Sequence, residues 1–212
     1  MAHEGGELGP DLRWGAASNP HEAAAQLNLM RYLDIVPRSG HVADVGAGIG
    51  HSMEALLYVR RPDLHVASVD PGYALQGSQQ EAEAAEVRDA VIDCFNDVEQ
   101  KMLRSTDAWY ASRIDAYADS LPFEAESVDL VFSYAAVPEY SSGPQQDAKD
   151  LREMLRVVKK GGAILNGPMN EIVHEDWRNM LESLHNSGEI QKYEIRMDEM
   201  DVGTVYFSEV IK

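Results

Sequence analysis

Cysteine is nearly absent: Cys94 is the single one in 212 residues, which rules out an internal disulfide and any Cys-x-x-Cys redox or zinc pair. Long apolar runs are missing as well. No stretch approaches the roughly 20 apolar residues that cross a bilayer as a helix. The opening Met1-Ala2-His3-Glu4-Gly5-Gly6-Glu7 has neither the basic head nor the apolar centre of a secretion signal. A soluble, cytoplasmic protein is expected. Positive charge is scarce, with 18 Lys and Arg against 36 Asp and Glu and a formal net charge of -18. Such a surface repels phosphate backbones and disfavours nucleic acid as a substrate. The basic pairs present, Arg60-Arg61 and Lys159-Lys160, fall at the ends of expected helices, where cations complement the helix dipole. Adaptation to high salt would give the same acidic composition.

Familiar catalytic signatures are equally thin. His21-Glu22 and His174-Glu175 begin like a zinc-protease helix, but neither has the second histidine, and no other His/Cys grouping has ligand spacing. No metal is expected. The Gly-x-Ser-x-Gly elbow and the phosphate-loop lysine signature are also missing. What remains is a chain with 44% hydrophobic and 25% charged residues, the composition of a globular protein, and long enough for one substantial core. It reads as one domain over 1–212.

Within it, Val42-Ala43-Asp44-Val45-Gly46-Ala47-Gly48-Ile49-Gly50 joins a β-favouring run, an acidic residue and three alternate glycines to an apolar-periodic segment. A strand, a tight turn and a helix are predicted. Glycine lets a ligand approach the backbone closely, and the helix start offers free N–H groups. A dinucleotide loop, G-x-G-x-x-G, would need glycine at 51, where the chain has His51.

Before this motif, residues 1–18 read as a flexible arm carrying Trp14, and Asn19-Pro20 opens an amphipathic helix running to Pro37. After it, Met53, Leu56, Leu57 and Arg60 mark a helix that ends before Pro62, and 65–69 form a second strand ending in Asp70-Pro71-Gly72. A carboxylate there stands beside the first glycine loop, where it can accept ribose hydroxyls; it also suits the opening of a plain turn. Residues 74–112 are a helical insert between the second and third strands, an amphipathic helix or helix pair, with Val91, Ile92, Phe95, Val98, Met102 and Leu103 as its apolar stripe and Cys94 as a small buried residue. The insert suits a lid, extra packing or a homodimer surface. Trp109-Tyr110 closes it.

Strands are predicted over 113–117, 128–134 and 163–166, with a helix between the last two stopped at Lys159-Lys160-Gly161-Gly162. A helix around Trp177, Met180, Leu181 and Leu184 precedes closing strands over 192–196 and 202–211. This alternation predicts an α/β, doubly wound sheet.

Four features arrive in an order that resembles the class I S-adenosylmethionine (SAM) dependent methyltransferases: the Asp44 to Gly50 motif, Ala118-Asp119 before Leu121-Pro122-Phe123, the run Asp129 to Ser133, and Lys159-Lys160-Gly161-Gly162 before an apolar strand. The resemblance covers about 40–166. It implies a Rossmann-like methyltransferase fold with three αβα layers and a mostly parallel seven-stranded sheet that carries a C-terminal antiparallel pair. The implied cofactor is SAM, held by Asp44, Gly46, Ala47, Gly48, Gly50, Asp70, Pro71, Ala118, Asp119, Ser133 and Tyr134. The Asn-Pro-Pro-Tyr of adenine-amino methyltransferases is replaced by Ser133-Tyr134-Ala135-Ala136, which points away from that acceptor.

The expected activity is methyl transfer to oxygen or nitrogen of a small molecule. A non-catalytic SAM-binding regulatory subunit and an aminopropyl-type transferase on the same fold are the alternatives. Candidate general bases are His51, Tyr134, Glu139, Tyr140 and His174, each with a plain structural role as its rival.

Overall fold

The computed structural model describes residues 36–48, 51–72, 78–106, 108, 112–134, 136–138, 143–169, 171–200 and 203–212. The arm with Trp14, the helix opened by Asn19-Pro20, and Trp109-Tyr110 lie outside the described residues.

Seven strands form one sheet: β1 (Gly40–Val45), β2 (Leu64–Val69), β3 (Arg113–Ile114), β4 (Val128–Tyr134), β5 (Val158–Met169), β6 (Lys192–Met200) and β7 (Gly203–Ile211), in the order β3-β2-β1-β4-β5-β7-β6. The first five are parallel, and β7 joins β5 and β6 antiparallel. The chain builds outward from β1 through β2 to β3, then returns to lay β4 on the other side of β1. This reversal makes β1/β4 the switch point, where a crevice opens at the carboxyl ends of the strands.

Successive side chains point to opposite faces of each strand. Val42, Leu130, Phe132, Tyr134, Ala163 and Leu165 enter one core with α1 (Ser52–Arg60), α2 (Ser78–Asp93) and α3 (Asp97–Arg104). Ala43, Val45, Val69, Val131, Ile164 and Val210 enter the other with α4 (Pro144–Val157) and α5 (Glu171–Ser187). The three layers and the mixed sheet agree with the expected fold class.

Of the two forms expected for the insert, residues 78–104 take the helix pair, because Asn96 caps the second helix and resets its phase. Other expectations change. Val91, Ile92, Phe95 and Leu103 are buried against α1, but Val98 and Met102 are exposed and do not belong to the stripe. Cys94, expected to be buried, is exposed in the turn between these helices. The third strand is confined to Arg113–Ile114: it is an edge with one neighbour, and Asp115 and Tyr117 face solvent. The helix expected to stop at Lys159-Lys160-Gly161-Gly162 ends at Val157. Those four residues instead bulge out of β5 between the pairs Val158↔Val128 and Ala163↔Leu130. Gly161 turns there at φ 76, donating its amide to the Lys212 carbonyl.

Candidate functional site

The glycine turn sits on the switch point. Gly46 and Gly48 have φ of 78 and 61, a region that strains any side chain. A Cβ on Gly46 would stand 2.1 Å from the Cβ of Ala136, in the segment that follows β4. The first glycine therefore lets the β1 turn close against the β4 turn. The amides of Gly46 and Ala47 donate to the Val69 carbonyl, tying the same turn to the end of β2.

Asp70 completes this arrangement. Its Oδ1 accepts from the Gly72 amide at 2.7 Å and its Oδ2 from the Gly48 amide at 3.1 Å, so the carboxylate both closes its own turn before Pro71 and clips the glycine turn. Each oxygen keeps a further lone pair for a ligand hydroxyl. Burial raises the Asp70 pKa above the ordinary aspartate value. The Gly72 and Gly48 amides oppose that rise, as does the charge interaction with His51, while Asp115 adds to it.

Asp44 ends β1 and is buried, and its Oδ1 has no hydrogen-bond partner among the described residues. Burial first, then Glu54 and Asp70, push its pKa well above the ordinary aspartate value. His51 stands at the N-cap of α1 with φ 49. Ser68 Oγ donates its one proton to Glu54 Oε1. His51 Nδ1, 3.1 Å from Ser68 Oγ, must then be the N–H that donates to that hydroxyl.

Across the crevice, Ser133 and Tyr134 lie on opposite faces of β4. Ser133 is fully buried on the α4/α5 side and accepts the Val137 amide at 3.1 Å. Tyr134 is buried on the α1 side, stacked on Phe132 with ring centroids 6.3 Å apart. Their side chains cannot approach one ligand from the same side. Farther out, Ala118 and the exposed Asp119 occupy the turn after β3. Gln146, in the first turn of α4, donates to Asp119 Oδ2 at 3.0 Å and to Asp150 Oδ1 at 2.7 Å. Burial, with Asp119 and Asp147 nearby, raises Asp150 to about 6 against the pull of that Gln146 bond.

His174 is set apart in the packing of α5 on β7. Its ring stacks on Tyr206 at 3.8 Å, and its Nε2 accepts from the Arg178 guanidinium at 2.8 Å. A lone pair so engaged is not available to take a proton from a substrate. Gly50, Glu139 and Tyr140 lie outside the described residues.

Three residues escaped the sequence reading. Glu54 looked like an ordinary acid in a helix's first turn, yet it is 1% exposed beneath that helix. Gln146 carried no signal beyond its place after Pro144. Asn166 ends an apolar run. It sits in register between Ser133 and Ser208, 2% exposed, with neither amide atom hydrogen-bonded among the described residues. The hydroxyl of Ser208 is taken by the Trp177 indole at 2.9 Å. A lone amide closing an apolar strand was the signal available for it.

A protein-family model described as "Methyltransferase domain" matches residues 43–166, more than half of the chain. No curated protein matches by sequence. Among solved structures, the N-methyltransferase NodS from Bradyrhizobium japonicum, in complex with S-adenosylhomocysteine, superposes with TM-score 0.57 at 12% identity, over 91% of this chain and 86% of that one. A SAM-dependent methyltransferase from Thermotoga maritima superposes with TM-score 0.54 at 14% identity, over 89% of each chain. Phosphoethanolamine N-methyltransferase 2 from Haemonchus contortus, in complex with SAM, gives TM-score 0.53 at 15% identity over 88% of this chain. This chain spans about half of that protein, 52% of its length. At such identities the likeness is one of fold.

Proposed function

The chain belongs to the methyltransferase-domain family, and from that premise we propose that it transfers a methyl group from SAM to an oxygen or nitrogen of a small molecule. The reading is carried by one juxtaposition at the switch point: a positive-φ glycine turn, the buried Asp44 with an orphaned oxygen, and Asp70 clipped to that turn by two amides. These groups fit the cofactor by charge and hydrogen-bonding type. Asp44 would meet its ammonium and the 46–50 backbone its carboxylate, while Asp70, beside Pro71, would accept the ribose hydroxyls. Ala118 and Asp119 would border the adenine edge, and Ser133 and Tyr134 the sulfonium end, Ser133 through its backbone. The net charge of -18 favours a small acceptor over nucleic acid.

When bound, the cofactor supplies a methyl carbon already activated by its sulfonium. The chain's task is to hold the acceptor in line behind that carbon and to keep water out. Alignment of this kind supplies about 7 to 11 kcal/mol. A base is required only for an acceptor that arrives protonated. Among the described candidates His174 is engaged by Arg178, which leaves His51 and Tyr134 nearest the crevice.

Calorimetric titration with S-adenosylhomocysteine is the direct test, and binding is expected. An absence of binding sinks the proposal. Asp70→Ala is expected to weaken that binding by about 1.5 to 3 kcal/mol, the range for hydrogen bonds to charged groups; unchanged affinity removes the ribose role.

A further inference from the structure

The turn that carries Asp119 receives little support from the sheet. Strand β3 pairs with β2 only through Arg113 and Ile114, and the chain leaves that edge before it reaches Asp119. Helix α4 supplies the hold instead. Glu153 Oε1 accepts the Leu121 amide at 2.9 Å, and the Arg156 guanidinium donates to the Leu121 and Phe123 carbonyls, each at 3.0 Å. Gln146, nearer the start of the same helix, reaches Asp119 itself. Positions 146, 150 and 153 recur at helical spacing, so one face of α4 meets this whole turn.

A side-chain amide has two N–H donors, and Gln146 Nε2 directs them to two different acids, Asp150 Oδ1 at 2.7 Å and Asp119 Oδ2 at 3.0 Å. Asp150 stands one turn along α4 and is 4% exposed, which makes it the fixed end of this chain. Asp119 is exposed and is the guided end. A lysine or arginine in this place would neutralise the acids it joins, whereas a neutral amide leaves Asp119 its full charge. The bond to Oδ2 fixes the rotation of the carboxylate, and Oδ1 keeps lone pairs for a further donor.

We propose that Gln146 is a positioning residue for the nucleobase: braced on Asp150, it turns Asp119 so that Oδ1 accepts the exocyclic amine of adenine. The inference rests on the cofactor reading above and adds to it the residue that sets the preference for an amino-purine. Asp150 anchors, Gln146 transmits, and only Asp119 meets the ligand. A carboxylate held in this way gains a bond from the amine N–H and finds no donor on a purine that lacks it.

The test is calorimetric titration with S-adenosylhomocysteine and with its purine analogue, in which hydrogen replaces the exocyclic amine. The unmodified protein is expected to prefer S-adenosylhomocysteine by about tenfold or more, as for a hydrogen bond to a charged group. In Gln146→Met, of similar length but without donors, that preference is expected to shrink by about three- to tenfold. The whole change should fall on S-adenosylhomocysteine, with the analogue bound as before. A merely structural role would weaken both ligands alike; that outcome, or a preference that Gln146→Met leaves intact, overturns the proposal. Should the variant fail to fold, the side-chain amide NMR signals of Gln146 in the unmodified protein decide. They are expected to shift with S-adenosylhomocysteine and far less with the analogue, and equal shifts overturn the assignment. A protein that binds neither ligand sinks the cofactor reading and this assignment with it, while binding of both without preference sinks this assignment alone.

Discussion

Asp150, buried beside Asp119 and Asp147 and raised to about 6, carries a definite pH signature. The folded protein holds this proton more tightly than the unfolded chain, so the associated stability is full below the ordinary aspartate value and is lost as pH rises through about 6. The loss is at most about 3 kcal/mol. Asp150→Asn keeps the acceptor for Gln146 and is expected to flatten this part of the profile in urea melts at stepped pH. Asn166 makes the opposite kind of sacrifice. An amide with neither atom satisfied costs more than an apolar group of similar shape. Asn166→Leu is therefore expected to raise the melting temperature by about 2 to 4 °C, as for a gain near 1 kcal/mol in a chain of this size. A lowered melting temperature would mean that the amide is satisfied by bound water.

Among the elements, α3 depends on its cap. Asn96 accepts from the Val98 and Glu99 amides, and Glu99 reaches back to the Asn96 amide. Glu99 also pairs with Arg60 at 2.7 Å, which fastens this helix to the end of α1. Asn96→Ala is expected to cost about 1 kcal/mol in denaturant unfolding, and no loss would show that α3 is held by packing alone. The same cap marks where the sequence ceased to be readable. Val91, Ile92 and Phe95 follow one helical phase, and a reader who extends it past Asn96 buries Val98 and Met102, which the reset phase exposes. Strand 128–134 was legible to the residue because it is apolar on both faces, and the place of Asp70 beside the glycine turn because it follows the second strand. Glu54 was not. An acid in a helix's first turn suits the dipole as well as it suits a buried bond beneath the helix, and only the hydroxyl of Ser68 on β2 separates the two. The edge strand β3 was over-read, since alternation continues past the point where a pairing neighbour ends.

For the molecule as a whole, the net charge of -18 is spread over 212 residues with few counter-charges. Self-repulsion of this kind weakens the compact state and is screened by salt. Thermal stability is expected to rise with added sodium chloride through the range where the Debye length falls below about 10 Å, and a melting temperature indifferent to salt would show that local ion pairs such as Lys159–Asp129 already balance the surface. The contact of Gly46 with Ala136 bears on the order in which the protein becomes competent. Strands β1, β2 and β3 all precede β4, yet the wall against which the glycine turn closes is supplied only after β4. A chain still being synthesised can own every residue of the first motif and have no crevice. Occupancy of that turn thus reports that the second half of the sheet has arrived.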